Sequence, residues 1–491
     1  MPRPSTGGGI APPLWDGGSL AAAVFGIVKG TVGPAILYLP RGFRQAGWAA
    51  AVLCLGLSTS TYLYSAGRLL ECWRAERERE EREAGELGGG RGLGKKDEVR
   101  ALRGEEAGRG AGASPRGRYG SLEEGRRHHP ATASAPGTGR IPLTYPELAR
   151  RSLGPYSLLV TGGIAAMQFG VCLTYLIFVP QTLGACARAM ASAAAMPPPP
   201  FWAFLAAMVA AEVPLAWIRD IRRLAPTNVL ATLLIAYGLA ACLAVAGTSG
   251  RGHAAADVGR TDGGGSPGNA ASPLLGRVLD LPALGDAWYL FVGTSFFVFE
   301  GSITLLVPLQ EAVREKRDRD AFPRLNVRVQ RCIVTFYVIF ALACWAALGD
   351  GVQTALTASL PPGPLSASVQ IAYSIAVVLT FPLQAFPALE VACRAAATVR
   401  RRNAAASAIV CGLGVVAYLA IDDLGNVVSL LGSLVGIPIA LVYPNLMHNV
   451  MCASTASARV RAMNYAVASI GLFATFAASY TTIMQWDRGT E

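Results

Sequence analysis

Charge is scarce in this chain of 491 residues: only 15% are Asp, Glu, Lys or Arg, where a soluble protein carries about 25%. Histidine is scarcer still, with four residues (His128, His129, His253, His448), all in loops or at the end of an apolar run. No H-E-x-x-H, no paired aspartates within an apolar run and no serine–histidine or serine–lysine arrangement occurs, so nothing points to an integral membrane enzyme or a metal centre. No C-x-x-C occurs either. Most of the ten cysteines lie in or beside apolar runs, only Cys186 is near an outer loop, and residues 248–286 hold none. A disulfide framework is therefore not expected, and the cysteines read as small apolar packing residues. The opening "MPRPSTGGGIAPPLWDGG" lacks the order of basic start, apolar core and cleavage site that marks a signal peptide. The first apolar run is expected to remain in the mature chain.

What the chain does have is long apolar runs. Residues of the hydrophobic types make up 52%, mean hydropathy is +0.39, and the runs are about 20 residues long, the length that crosses ~30 Å of hydrocarbon. Eleven spans are read, near 20–40, 47–67, 157–182, 201–218, 227–247, 287–309, 329–348, 369–389, 404–421, 425–444 and 464–484. The fold class is all-α, polytopic and membrane-embedded, with a transmembrane domain over 20–484, a short N-terminal segment 1–19 and a tail 485–491.

The net charge of +11 invites a nucleic-acid reading, but its distribution argues for topology instead. With the N-terminus in the cytosol, 34 of the Lys and Arg residues fall on the cytosolic side and seven outside, which follows the positive-inside rule. The short loops agree: "RDIRR", "REKRDRDAFPRLNVRVQR" and "RRRN" fall inside, while "LGDGVQTALTASLPPGPLSAS" and "DDLG" carry no positive charge. No nucleic-acid partner is expected. Residues 71–145 form a low-complexity cytosolic loop: "ECWRAEREREEREAGE" extends the second span as a charged helix through i,i+4 pairs, and the remainder, with "GELGGGRGLG" and "TASAPGTG", reads as disordered. Residues 248–286 read as a flexible outer loop without an N-x-S/T acceptor.

Ionisable residues inside the runs are few: Lys29, Glu212 and Glu300, with Arg68 and Glu390 nearer the ends. A charge at mid-depth costs at least about 2.5–3.5 kcal/mol on insertion scales, so it normally faces a cavity or a partner. Lys29 sits near the middle of span 1 in "GIVKGTVGPAILYLP", and Glu300 near the middle of span 6 in "GTSFFVFEGSITLLVPLQE". Gly30, Gly33 and Pro34 interrupt span 1, and Gly293, Gly301 and Pro308 punctuate span 6. Spans 1 and 6 each begin one set of five, and matching breaks in two halves point to the midplane site of a secondary transporter. At such a break, free amides at a half-helix N-terminus attract an anion and free carbonyls attract a cation. An amino acid zwitterion supplies both.

"VKGTVGPAILYLPRGFRQAGW" resembles the opening signature of the amino acid/auxin permease family, within the amino acid–polyamine–cation superfamily. Four stretches follow in the family's order: "LTYPELARRSLGPYSLLVTGGIAAMQFGVCLTYLIFVPQTL", "IRDIRRLAPTNVLA", "GTSFFVFEGSITLLVPLQEAV" and "VSLLGSLVGIPIALVYPNLMH". The resemblance implies eleven spans, a leucine-transporter-type 5+5 inverted repeat, and alternating access. Broken helices at the midplane belong to that class. By position, the resemblance implies that Thr31, Val32, Gly33 and Ala35 face the substrate carboxylate, and Ser295, Phe296 and Phe299 its amino group. Thr380 lies where sodium-coupled relatives offer a hydroxyl. Gly26, Ala35, Pro34 (which lacks an N–H) and Gln310 in "VPLQE" depart from the family pattern; they leave the fold as it is and bear on substrate identity and transport competence.

The expectation is a secondary active amino acid transporter without a cofactor, driven by a proton gradient, with sodium the second choice. Glu300 is the expected proton acceptor and Lys29 a gate or structural partner. The competing reading is an amino-acid sensor that binds the same solute and signals through its cytosolic segments. The vacuolar or lysosomal membrane and the plasma membrane both fit, and oligomeric state is open.

Overall fold

A computed structural model describes residues 19–105, 143–194, 197, 199–218, 225–258, 278, 281–361 and 363–486. Residues 1–18 and 487–491 of the expected tails, residues 106–142 of the 71–145 segment and most of the 248–286 segment lie outside the described residues. Among the described residues every regular element is helical. Span 1 comprises α1 (Leu20–Thr31), a 3-10 turn (Pro34–Tyr38) and α2 (Leu39–Ala46). There follow α3 (Trp48–Glu105), α4 (Tyr145–Leu153), α5 (Ser157–Ala194), α6 (Phe201–Leu215) and α7 (Ala225–Val258). Span 6 is α8 (Trp288–Phe297) and α9 (Glu300–Ala312), and spans 7 to 9 are α10 (Lys316–Leu348), α11 (Pro364–Ala392) and α12 (Val399–Leu419). Span 10 is α13 (Leu424–Leu431), two π-helical stretches (Gly432–Gly436 and Pro438–Val442) and α14 (Tyr443–Met451); span 11 is α15 (Ala458–Met484).

Ten helical segments among the described residues are long and apolar enough to cross a membrane. The eleventh expected span, α6, is apolar but only 15 residues long, roughly 22 Å at 1.5 Å per residue. Local chemistry sets several starts. The Ser19 hydroxyl accepts from the Ala22 amide at 3.2 Å, and the Thr144 hydroxyl caps α4 by accepting from Glu147 N–H at 3.4 Å, with Pro146 in the first turn.

The helices pack in two sets. Spans 1, 2, 6 and 7 touch one another, through α1 on α9 and α10 and α2 on α8. Spans 3, 4, 8 and 9 form the second set, with α5 running along α11 and α12 on both α5 and α6. Span 10 lies against α8, and α15 against span 10.

Two elements exceed what the sequence suggested. The helix of α3 continues to Glu105, through the "GELGGGRGLG" stretch read above as disordered, and α7 continues to Val258, into the stretch read as a flexible loop. In both, helix propagates from a long preformed span, where each added residue needs no new nucleus.

Three glycines also work differently from the expectation. Gly30 lies inside α1, Gly293 inside α8 and Gly301 inside α9, so none of them breaks its helix. They permit close crossings instead. A Cβ on Gly301 would stand 2.1 Å from the Gly30 carbonyl oxygen, and one on Gly293 would stand 1.9 Å from that of Ser429. Pro308 likewise sits within α9. The interruption of span 1 belongs to Gly33 and Pro34 alone.

Candidate functional site

The α1 helix ends at Thr31 because Pro34 supplies no amide and clashes with a continuing turn. The Val32 N–H closes on Val28 O at 2.6 Å, the Gly33 N–H turns back to Thr31 O at 3.1 Å, and Gly33 is extended. No atom lies within 4 Å of where a Gly33 Cβ would be. Val32, Gly33 and Ala35 are only partly buried. Span 6 breaks more gently, over Val298 and Phe299, before the second half-helix starts at Glu300. The Gly30–Gly301 crossing places these two interruptions side by side, one just after its glycine and the other just before.

Glu300, in the first turn of α9, is half-buried. Its carboxylate accepts from Gln384 Nε2 of α11 at 3.2 and 3.4 Å; among the described residues no Lys or Arg lies within ion-pair distance of it. A tight cleft beside it is lined by Phe296, Phe299, Met167 of α5, and Gly436 and Ile439 of span 10, with no room for a water molecule in this conformation. Thr380 stands one turn before Gln384 on the same face of α11, with its hydroxyl on Ala376 O at 2.7 Å.

Of the expected substrate and coupling residues, Phe296, Phe299 and Glu300 thus meet at one cleft. Thr31 and Ser295 are held elsewhere. The buried Thr31 donates to Ile27 O at 2.8 Å and accepts from Gln330 Nε2 at 3.1 Å, and its carbonyl accepts from Tyr337 OH at 2.7 Å. Gln330 also bonds Ser302, which pairs with Tyr62 OH at 2.7 Å. This network fastens the break of span 1 to spans 2, 6 and 7. Ser295 is buried, donates to Val292 O at 2.8 Å and meets Cys54 Sγ at 3.6 Å. One face of the Phe299 ring stacks on Tyr62, with centroids 4.5 Å apart. Lys29 is half-buried in the last turn of α1, and among the described residues no carboxylate lies within ion-pair distance of it.

Sequence reasoning missed Gln384, Gln330, Tyr337 and Ser302, polar residues inside otherwise apolar runs. A rule that ranks only charges passes over them. It also missed the two π-helical stretches of span 10, for which Gly432, Gly436 and Pro438 were the available signal; such widened turns are frequent at functional sites.

A polytopic helical fold with adjacent interruptions in its first and sixth spans defines a membrane transporter class. Residues 132–484 match the family described as transmembrane amino acid transporter protein, and the chain belongs to that family. It is 26% identical over 343 residues to vacuolar amino acid transporter 4 of Saccharomyces cerevisiae, covering 62% of this chain and 44% of that protein. With vacuolar amino acid transporter 3 of the same yeast, identity is 30% over 215 residues, 41% of this chain and 30% of the relative. With amino acid transporter ANT1 of Arabidopsis thaliana it is 24% over 394 residues, 79% and 69%. The chain therefore spans less than half the length of the two yeast relatives.

Proposed function

We propose that this protein moves amino acids across a membrane by alternating access, with a proton as the coupling ion and the face bearing the charged extension of α3 in the cytosol. The observation that carries the reading is the pair of adjacent breaks, open at Gly33 and flanked by Glu300. The α1 half-helix ends there with its carbonyl pole, while α9 begins with its amide pole, so opposite partial charges face a small solute. Glu300 meets a neutral amide rather than a fixed cation, so it can gain and lose a proton without breaking an ion pair. Thr380, one turn away, is the alternative ion ligand if sodium drives the cycle. The vacuolar names of the yeast relatives favour a vacuolar-type membrane.

The test is uptake of a labelled amino-acid panel into proteoliposomes under a pH gradient, under a sodium gradient and under neither. Accumulation under the pH gradient alone is the expected result. Accumulation under sodium alone would replace the proton with sodium. Binding without flux from folded protein would favour the sensor reading.

A further inference from the structure

Span 10 carries Pro438 and Pro444, and the turn between them is π-helical over Pro438–Val442. In that turn the Tyr443 N–H reaches back to Pro438 O, which takes it away from Ile439 O, its partner in an α-helix. The π partner of Ile439 O would be the amide of residue 444, and Pro444 has none. The Ile439 carbonyl is thus left without a helical main-chain donor at a fully buried residue. A buried carbonyl needs a partner, and Tyr145 OH supplies the missing donor at 2.8 Å.

The donor comes from outside the span. Tyr145 is the first residue of α4 and is itself fully buried. Thr144 caps that helix at one end, and Arg151 near the other meets Glu76 and Glu80 of α3 at 2.7 and 2.6 Å. The phenol is therefore held by an anchored helix. The acceptor leads the other way, into the site. Ile439 lines the cleft beside Glu300 together with Gly436, Phe296 and Phe299, and its Cδ1 lies 3.6 Å from where a Cβ on Gly163 of α5 would stand. One hydrogen bond connects α4 to the wall of the candidate substrate cleft.

We propose that Tyr145 is a positioning residue for that cleft: its hydroxyl keeps span 10 in the widened register that places Ile439 and Gly436 together in the cleft wall. The proposal rests on the transport reading given above. Without the phenol, Ile439 O recaptures the Tyr443 N–H, the turn tightens to α, and Gly436 and the residues beyond the turn lose their common facing. The binding-competent arrangement becomes a minor one, and apparent affinity falls with its population. Loss of one buried hydrogen bond shifts such an equilibrium by about tenfold.

The experiment compares wild type, Tyr145→Phe, and the double variant Tyr145→Phe with Pro444→Ala, which offers Ile439 O a π donor from the main chain. Each is assayed in proteoliposomes for saturable uptake of the labelled amino acid that wild type accumulates most, and in lipid nanodiscs for hydrogen–deuterium exchange of peptides covering 436–447. Tyr145→Phe should raise KM by about tenfold with kcat per folded protein within about twofold, and should speed exchange at 439–447. The double variant should return both toward wild type. A lower melting temperature with KM unchanged would make Tyr145 merely structural and overturn the proposal, as would a rise in KM that the Pro444→Ala change does not reverse. Wild type that takes up no amino acid would remove the transport reading instead. Exchange then decides the hold of Tyr145 on span 10 by itself, and equal exchange in wild type and Tyr145→Phe would overturn it.

Discussion

The charged end of α3 and the cleft at Glu300 treat partly buried carboxylates in opposite ways. At the first, Arg77 pairs with Glu80 and with both oxygens of Glu311, while Trp73 Nε1 donates to Glu311 at 2.7 Å. Arg151 gathers Glu76, Glu80 and Glu147 at 2.7, 2.6 and 3.0 Å and so binds α4 to α3. Each carboxylate there meets a cation that never titrates near neutral pH, which suits a fixed joint. At the second, among the described residues, the Glu300 carboxylate meets the Gln384 amide and no cation. The contrast teaches that the molecule places full charge pairs where elements must stay together. It leaves a changeable group where the two broken helices meet.

Breaking the comparison at its uncompensated side gives the largest effect. Glu300→Gln should abolish accumulation driven by a pH gradient while counterflow exchange persists, with the melting temperature in detergent near wild type. Unchanged gradient dependence would remove Glu300 from coupling. Next comes the crossing that brings the breaks together. Gly301→Ala puts a methyl 2.1 Å from the Gly30 carbonyl and should cost about 1–3 kcal/mol or more from overpacking, seen as loss of monodisperse protein in fluorescence-detected size exclusion. Gly33→Ala, into open space, should retain it; equal loss for both would mean that crowding is not the cause.

On the ionic side the effects are smaller and confined to stability. Arg77→Ala should lower stability by about 2 kcal/mol, below the ~3–5 kcal/mol of a fully buried pair because Glu311 keeps 24% of its side chain exposed. Thermal melting checks it, and proton coupling of the folded fraction should be intact. Arg79→Ala breaks a pair whose side chains are 69% and 58% exposed and should leave the melting temperature where it is, since solvent screens such pairs.

How far the sequence could be read follows from which forces leave marks in it. Span positions were legible because burial in hydrocarbon needs about 20 apolar residues in a row, and the break at Gly33 and Pro34 was legible because proline removes an amide. The ten spans and the interruption in span 1 match those expectations. Gly30, Gly293 and Gly301 were misread because a glycine that loosens a helix and one that admits a neighbouring backbone look alike until the neighbour is known. The grip of Gln330 and Tyr337 on Thr31 joins residues about 300 positions apart, and no local pattern encodes that.

The two π-helical stretches of span 10 hold more main chain than an α-helix needs for the same rise. Tightening either one to an α turn would advance everything beyond it by one residue, about 100° around the axis, and would carry the His448 ring away from Glu71 of α3, whose carboxylate it meets at 2.8 Å. Span 10 is therefore a rod with slack built in. A one-residue deletion within 432–442 is a change that slack can absorb, where the same deletion in the regular turns of α10 would throw its whole contact face out of phase.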